Sequence, residues 1–215
     1  MSPHPLRALL DDVAHGRFPP ADGVVDVVRS PGGLADVIVG FTGHFMLAAD
    51  IAPADVALHM PAGDFSVPMS SASLTWLAER LDSRPATFDA LLCHLGTGTG
   101  APGWLREVDG NAHPRIERAA RYRREQRMFV VDDDAAVLVV GRGLCDRWEF
   151  GFEVAADAQG QGLGRKVAAA AAGLVPPGEA LWGQVAPGNA ASLRAVAAAG
   201  FVPVGAEVLF PRSPA

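Results

Sequence analysis

A glycine-rich loop in the second half of the chain reads Val154-Ala-Ala-Asp-Ala-Gln-Gly-Gln-Gly-Leu-Gly-Arg165. It joins a predicted apolar strand to a helix that is predicted to begin at about Leu163. Glycine adopts backbone conformations closed to other residues and lets a second group approach the main chain closely. Successive amides at the positive end of a helix suit a pyrophosphate. Arg165 and Lys166 in the first turn oppose the helix dipole, which favours an anion nearby.

Two common phosphate-binding patterns do not fit this loop. In the dinucleotide pattern G-x-G-x-x-G the third glycine would fall on Arg165 or Val167, and no Gly-Lys-Ser/Thr follows as a P-loop requires. The glycine spacing therefore disfavours a nicotinamide-dependent oxidoreductase. The loop does contain Gln159-x-x-Gly162-x-Gly164, which resembles the Q/R-x-x-G-x-G/A motif of the GNAT acetyltransferase superfamily.

A second block further along the chain has the same resemblance. Asn189-x-x-Ser192 precedes a helix that ends at Ala199-Gly200-Phe201, which is similar to the N-x-x-S…G-F signature that closes most GNAT sequences. The alternative interpretation is a tight strand–helix turn followed by an ordinary helix with Asn189 as its N-cap. The resemblance covers residues 113–210 and implies an α/β fold with a GNAT-like mixed sheet flanked by helices.

The resemblance also implies roles for individual residues. Backbone groups from Phe152 to Val154 would pair with the pantetheine arm of coenzyme A, where two central strands splay apart. The acyl carbonyl would lie near Val154, polarised by a backbone N–H. Asn189 would contact the pantetheine or the adenosine end. The pyrophosphate would be held by the amides of Gln159, Gly160, Gln161, Gly162, Leu163, Gly164 and Arg165.

Two carboxylates are candidates for the general base. In the GNAT pattern a carboxylate on the fourth strand commonly takes the proton, and the corresponding strand here offers Glu149 and Glu153. On a two-residue period both point away from the face that carries the aromatic residues. Burial would raise the pKa of such a carboxyl toward a base's working range. The alternative is that one or both reach solvent or pair with an arginine.

The sequence departs from the family at the position of the general acid. Many GNAT enzymes carry a tyrosine seven residues after the asparagine, and here that position is Val196. The chain's one tyrosine, Tyr122, lies in an arginine-rich segment. Two functions therefore stay open: an enzyme, and a non-catalytic acyl-CoA-binding sensor or scaffold.

The arginine-rich segment itself allows two interpretations. It is predicted to form a helix from His113 to Glu125, followed by a strand from Met128 to Val131. The arginines either bind an anionic acceptor or a coenzyme A phosphate, or they form a solvated helix face with local ion pairs. They are Arg115, Arg118, Arg121, Arg123, Arg124 and Arg127.

The stretch Gly96-Thr-Gly-Thr-Gly-Ala-Pro-Gly103 predicts a linker between residues 1–98 and residues 104–215. The same order of elements occurs on both sides of it: helix, strand, turn, strand, strand, long loop, helix, strand. We interpret the first half as a degenerate GNAT-like copy that forms a wall of the acceptor cleft. Residues 51–70, predicted to be irregular, lack clustered glycines, so this half should not bind coenzyme A.

Composition narrows the classes of ligand. The formal net charge of −6 disfavours nucleic acid and anionic membranes as partners. The six histidines show no paired metal spacing, so no metal is expected, and His44 either lines a ligand pocket or lies in a hairpin without chemistry. Cys93 and Cys145 follow no metal or redox spacing, which is typical of a reduced cytoplasmic protein. No signal peptide and no apolar run of roughly 20 residues is apparent.

Together these features predict an acyl-CoA-dependent N-acyltransferase of the GNAT type. It would move acetyl from acetyl-CoA directly to an amine of a small molecule or peptide. The sequence leaves the acceptor and the oligomeric state open.

Overall fold

The computed structural model describes residues 3–109, 114–131 and 134–212. The chain forms mixed sheets that are flanked by helices. The predicted α/β class is confirmed. The chain divides into two units, Met1–Ala90 with Val204–Ala215, and Leu91–Pro203. None of the helices in the described residues is long and apolar enough to cross a membrane.

The first unit is built on a hairpin. Strands β2 and β3 are antiparallel, β1 lies parallel to β3, and the end of β10 pairs antiparallel with β2. Its core contains Ile38, Leu47, Val208 and Phe210, all buried completely. The elements are α1 Pro5–Ala14, β1 Val25–Val28, β2 Ala35–Phe41, β3 His44–Ala48, α2 Pro53–His59, α3 Ser71–Leu81, the start of β4 Phe88–Leu95 and most of β10 Val202–Pro211.

The second unit is an antiparallel run of strands extended by a parallel one. Strands β5, β6, β7 and β8 pair antiparallel in sequence order, and β9 then pairs parallel with β8. The end of β4 lies on the other side of β9. The elements are β5 Leu105–Val108, α4 Pro114–Ala120, β6 Arg124–Val131, β7 Ala136–Arg142, β8 Trp148–Val154, α5 Leu163–Gly173, β9 Ala180–Val185 and α6 Ala190–Ala198.

The predicted helix from His113 to Glu125 is too long. Helix α4 ends at Ala120, and β6 already begins at Arg124, which pairs with Arg142 of β7. Glu125 has a φ of 50° at an irregularity between Arg124 and Arg127. Strand pairing thus overrides the helical spacing. His113 lies outside the described residues.

The segment predicted to be irregular contains a helix. Helix α2 begins with Pro53 in its first turn and buries Val56. Proline suits the first turn of a helix, where the missing N–H costs no hydrogen bond.

The glycine-rich stretch at residues 96–103, predicted to be a linker, is a loop that is hydrogen-bonded to the second unit. Gly96 and Gly100 donate backbone hydrogen bonds to Glu179 and Gly173, at 2.7 and 2.8 Å. The two units divide instead between Ala90 and Leu91. They also differ from the predicted limits, 1–98 and 104–215, because residues 204–211 of β10 complete the first unit's sheet.

Strand pairing differs between the stretches that share an element order. In the second unit, β6 is the antiparallel neighbour of β7. The corresponding β1 of the first unit pairs parallel with β3 instead. The common element order is therefore not accompanied by common pairing.

Candidate functional site

The glycine loop places the head of α5 at the end of β8. A short 3-10 turn, Ala156–Ala158, follows the strand, and α5 begins at Leu163. Gly162 is the N-cap residue with a φ of 81°, and no side chain caps the helix. The first amides of α5 have no carbonyl partner within the helix, as at any helix start.

Two of the three glycines serve backbone conformation and one serves packing. Gly160 has a φ of 77°, and a Cβ at Gly160 or Gly162 would meet only open space. A Cβ on Gly164 would lie 3.2 Å from Phe152 Cε2 and 3.6 Å from Ala195 Cβ. Glycine at position 164 thus lets α5 approach β8, while positions 160 and 162 leave open space in front of the backbone.

Strands β8 and β9 separate beside this loop. Their register joins Trp148–Phe150 to residues 181–183 and ends there, although β8 continues to Val154. Ala155 donates to the Ala135 carbonyl, on the β7 side, at 2.9 Å. Because backbone groups alternate along a strand, those of Phe152 and Val154 face the β9 side.

Two glutamines hold the loop in place. Gln159 Nε2 donates to the Val154 carbonyl at 3.1 Å, and Gln161 Nε2 donates to the Asp157 carbonyl at 3.2 Å. The first bond holds the loop against the end of β8, and the second joins two residues of the loop itself. The structure thus brings together the loop residues and the strand edge, Phe152 and Val154, that the sequence assigned to coenzyme A.

The face of β8 opposite Phe150 and Phe152 carries a buried ion-pair cluster around Glu149. Arg147 Nε lies 2.8 Å from Glu149 Oε1, and Arg123 Nε lies 3.0 Å from Oε2. The Leu144 amide also donates to Oε1, at 3.2 Å. The Glu149 side chain is 2% exposed. Gly143 lies so close to this carboxylate that a Cβ would not fit.

The expectation of a raised pKa is wrong for Glu149. Burial acts to raise the pKa of this carboxyl, but the charges of Arg147 and Arg123 and the hydrogen bonds outweigh it, so that the pKa lies below its ordinary 4.5. The alternative, in which the carboxylate pairs with an arginine, is the one found. Glu153 is exposed and lies near the loop. It is four residues beyond Glu149, which is roughly 13 Å along the strand at about 3.3 Å per residue.

Arg123 is the residue that sequence reasoning placed wrongly. It was assigned to a helix face, yet it lies between α4 and β6 with its side chain only 14% exposed. Its Nη2 donates to Gln184 Oε1 at 3.0 Å and more weakly to the Phe150 carbonyl at 3.4 Å. A polar Gln184 in the otherwise apolar β9 was the signal that could have shown a buried polar partner.

The other arginines of the segment are dispersed. Arg127 pairs with Glu107 across β5 and β6 at 2.8 Å, and Arg121 and Arg124 are exposed. The side chains of Arg115 and Arg118 lie outside the described part of the chain. The segment is therefore neither a continuous solvated helix face nor one basic patch in the residues described.

The second sequence block forms a capped helix. Asn189 Oδ1 accepts from the Ser192 amide at 3.1 Å, which is an N-cap of α6. Val196 is buried, and its aliphatic side chain offers no proton donor. Lys166 Nζ lies 5.4 Å from the centre of the Trp104 ring. A cavity of about 440 Å³ lies there, lined by Thr99, Gly100, Pro102, Trp104, Lys166 and Gly173.

His44 lies in the first unit between two carboxylates. Its Nδ1 is 2.9 Å from Asp22 Oδ1, and its Nε2 is 3.3 Å from Asp26 Oδ2. In residues 3–109, 114–131 and 134–212, no three His, Cys, Asp or Glu side chains come together as a metal site.

No protein-family model and no curated protein matches this sequence. Among solved structures, the chain is similar to an acetyltransferase from the GNAT family of Colwellia psychrerythraea, with 16% identity over 66% of this chain and 63% of that one and a TM-score of 0.39. It is also similar to a GCN5-related N-acetyltransferase from Kribbella flavida, with 14% identity, coverages of 66% and 64% and a TM-score of 0.39.

A third similar structure is described as a tandem GNAT protein from the clavulanic acid biosynthesis pathway. It shares 15% identity over 70% of this chain and 62% of its own, with a TM-score of 0.34. These structures carry the name of the family that the two sequence blocks resemble. The chain spans less than two thirds of each of the three.

Proposed function

We propose that the second unit is a GNAT-type domain that binds acetyl-CoA and transfers the acetyl group to an amine. One observation carries this proposal: the open glycine backbone at the head of α5 lies directly beyond the strand edge that β9 leaves unpaired. The first feature suits a pyrophosphate and the second suits the amides of a pantetheine arm.

In the proposed reaction, the amine nitrogen of the acceptor attacks the thioester carbonyl carbon. A C–N bond forms, the C–S bond breaks, the amine loses one proton and the departing thiolate gains one. The Val154 amide, on the open edge, is the group proposed to polarise the carbonyl oxygen. Glu149 is ionised but held in two ion pairs, so we assign it to position Arg123. Exposed Glu153 remains the carboxylate proposed to receive the amine proton through water.

A non-catalytic acyl-CoA-binding protein is the second candidate. The observation that favours it is buried Val196, where the family commonly places its acid. Acetyl-CoA binding without release of free thiol across a panel of amines would select this candidate. Both candidates include a reducing, cytoplasmic location, which is supported by the fact that neither cysteine forms a disulfide.

Calorimetric titration with acetyl-CoA tests the site, with two matched variants. Gly162 and Gly178 both have positive φ values, 81° and 82°, and a Cβ would meet open space at each. Gly162→Ala and Gly178→Ala should therefore cost similar folding free energy, about 1 kcal/mol. We expect only Gly162→Ala to weaken acetyl-CoA binding, because only that Cβ enters the pyrophosphate site. Absence of binding to the unmodified protein overturns the proposal.

A further inference from the structure

A cavity lies between α5 and the loop that leads into β5. Its volume of about 440 Å³ falls within the range of roughly 300–1,000 Å³ that small-molecule sites occupy. Apolar walls come from Pro102, Trp104, Ala169 and Ala170. The lining residues that the structure describes include one charged side chain, that of Lys166. An apolar site with a single cation suits an aromatic ligand that carries a negative charge.

Backbone hydrogen bonds hold the walls of this cavity in place. Gly100 donates to the Gly173 carbonyl of α5 at 2.8 Å. A Cβ on Gly173 would lie 2.7 Å from Thr99 Oγ1, so glycine lets the loop lie directly against the helix there. Further along the loop, Leu105 donates to the Pro102 carbonyl at 2.8 Å, which fixes the turn before β5. A ligand would therefore enter a site that already exists.

Lys166 connects the cavity to the loop assigned to the pyrophosphate. It lies in the first turn of α5, directly after Arg165, the last residue of that loop. A cation in the first turn opposes the helix dipole. No carboxylate of the described residues pairs with Lys166, and its Nζ lies over the Trp104 ring. An anion at the mouth of the cavity would therefore find a lysine that is not already in an ion pair.

The adenosine end of coenzyme A matches the cavity in chemistry and in position. Adenine is an aromatic ring that can stack on an indole, and the ribose carries a 3′-phosphate, which a lysine can bind. The adenosine follows the pyrophosphate directly in the coenzyme. Along α5 the lining runs from Lys166 to Gly173, which is roughly 10 Å at about 1.5 Å per residue, and it begins at the pyrophosphate end of the helix.

We propose that this cavity binds the 3′-phosphoadenosine of the acyl donor, with the adenine against Trp104 and the 3′-phosphate at Lys166. This inference rests on the proposed function. It makes the cavity the part of the site that distinguishes coenzyme A from coenzymes that lack the 3′-phosphate.

Calorimetric titration with acetyl-CoA and with acetyl-dephospho-CoA, which lacks the 3′-phosphate, tests the inference. We expect the unmodified protein to bind acetyl-CoA about tenfold more tightly, because one charge-assisted contact is lost in the other ligand. Lys166→Gln should remove this preference by weakening acetyl-CoA alone, and Lys166→Arg should keep it. Lys166 is exposed, so both variants should fold normally. Trp104→Ala should weaken both ligands by about tenfold, since both contain adenine.

Arg106→Gln is the matched control for the loss of a positive charge. Arg106 is exposed and pairs with Val130, which packs with Ala119 of α4, so its side chain points to the face of the sheet away from α5. This variant should keep the preference for acetyl-CoA.

Adenosine 3′,5′-bisphosphate gives a second readout that does not need the thioester. It should raise the melting temperature of the unmodified protein and of Arg106→Gln, but not that of Lys166→Gln. Equal affinity of the unmodified protein for acetyl-CoA and acetyl-dephospho-CoA overturns the inference and leaves the proposed function intact. A preference that survives in both Lys166→Gln and Trp104→Ala also overturns it, because the adenosine then lies elsewhere. Failure to bind acetyl-CoA removes the proposed function itself.

Discussion

At the scale of single residues, the environment of Glu149 keeps its carboxylate ionised and paired, which does not suit a catalytic base. The side chain is as buried as the sequence suggests, yet two guanidinium groups and an amide hold its charge. Alternation along β8 predicted the face on which Glu149 lies. It could not predict the partners, because Arg123 and Arg147 come from a turn and a loop whose paths depend on tertiary packing.

Replacing Glu149 by glutamine should destabilise the second unit by about 3–5 kcal/mol, because two guanidinium groups would lose their shared carboxylate. Urea unfolding measures this free energy. Glu153→Gln is the control on the same strand, and its exposed position predicts a change within about 0.5 kcal/mol. Equal stability of the two variants would contradict the ion-pair account.

The pH dependence of stability follows from the same ion pairs. Since the pKa of Glu149 is lower in the folded protein than its ordinary 4.5, its contribution is complete above that value and is lost as the pH falls through the folded pKa. Urea midpoints measured from neutral pH down to acid should therefore fall less steeply in Glu149→Gln than in the unmodified protein. Parallel curves would contradict the lowered pKa.

At the scale of elements, the strands and helices that follow one apolar period were predictable from sequence. Helix α5 begins at the predicted residue, Leu163. The wrong predictions fall where helix capping or strand pairing acts in addition to the apolar period. Pro53 lies in the first turn of α2, within a segment predicted to be irregular. Pairing with β7 makes the end of a predicted helix the start of β6. The strand edge that β9 leaves open was available only through the family resemblance.

The packing role of Gly164 predicts a loss of stability for Gly164→Ala. Its Cβ would lie 3.2 Å from the Phe152 ring, so α5 or the ring must move, at a cost of about 1–3 kcal/mol. Thermal unfolding checks this, with Gly103→Ala as the control because a Cβ there meets nothing and no positive φ is required. A Gly164→Ala protein as stable as Gly103→Ala would show that α5 does not pack closely on β8.

At the scale of the whole molecule, chain order and folding unit do not coincide. Residues 204–211 of β10 complete the sheet of the first unit, although they follow the second unit in the sequence. A linear division at a glycine-rich stretch could not reveal this, since antiparallel pairing of β10 with β2 joins residues far apart in sequence. The functional division of the chain remains a prediction.

This arrangement predicts that Phe210→Ala destabilises the first unit by about 3–5 kcal/mol, because a completely buried ring is lost from its core. Val202→Ala, at the exposed start of the same strand, should change stability little. Hydrogen exchange read separately for β2 and β7 checks the assignment. Faster exchange in β7 alone would contradict it.

The central claim is that coenzyme A binds along the backbone at the junction of β8 and α5. Residue-resolved NMR of the amide groups, with acetyl-CoA added stepwise, tests it most directly. We expect the largest shifts at residues 159–165, Phe152 and Val154, and little change in the first unit. Titration that leaves these amides unmoved, or that moves only those around Trp104 and the neighbouring cavity, would contradict the claim.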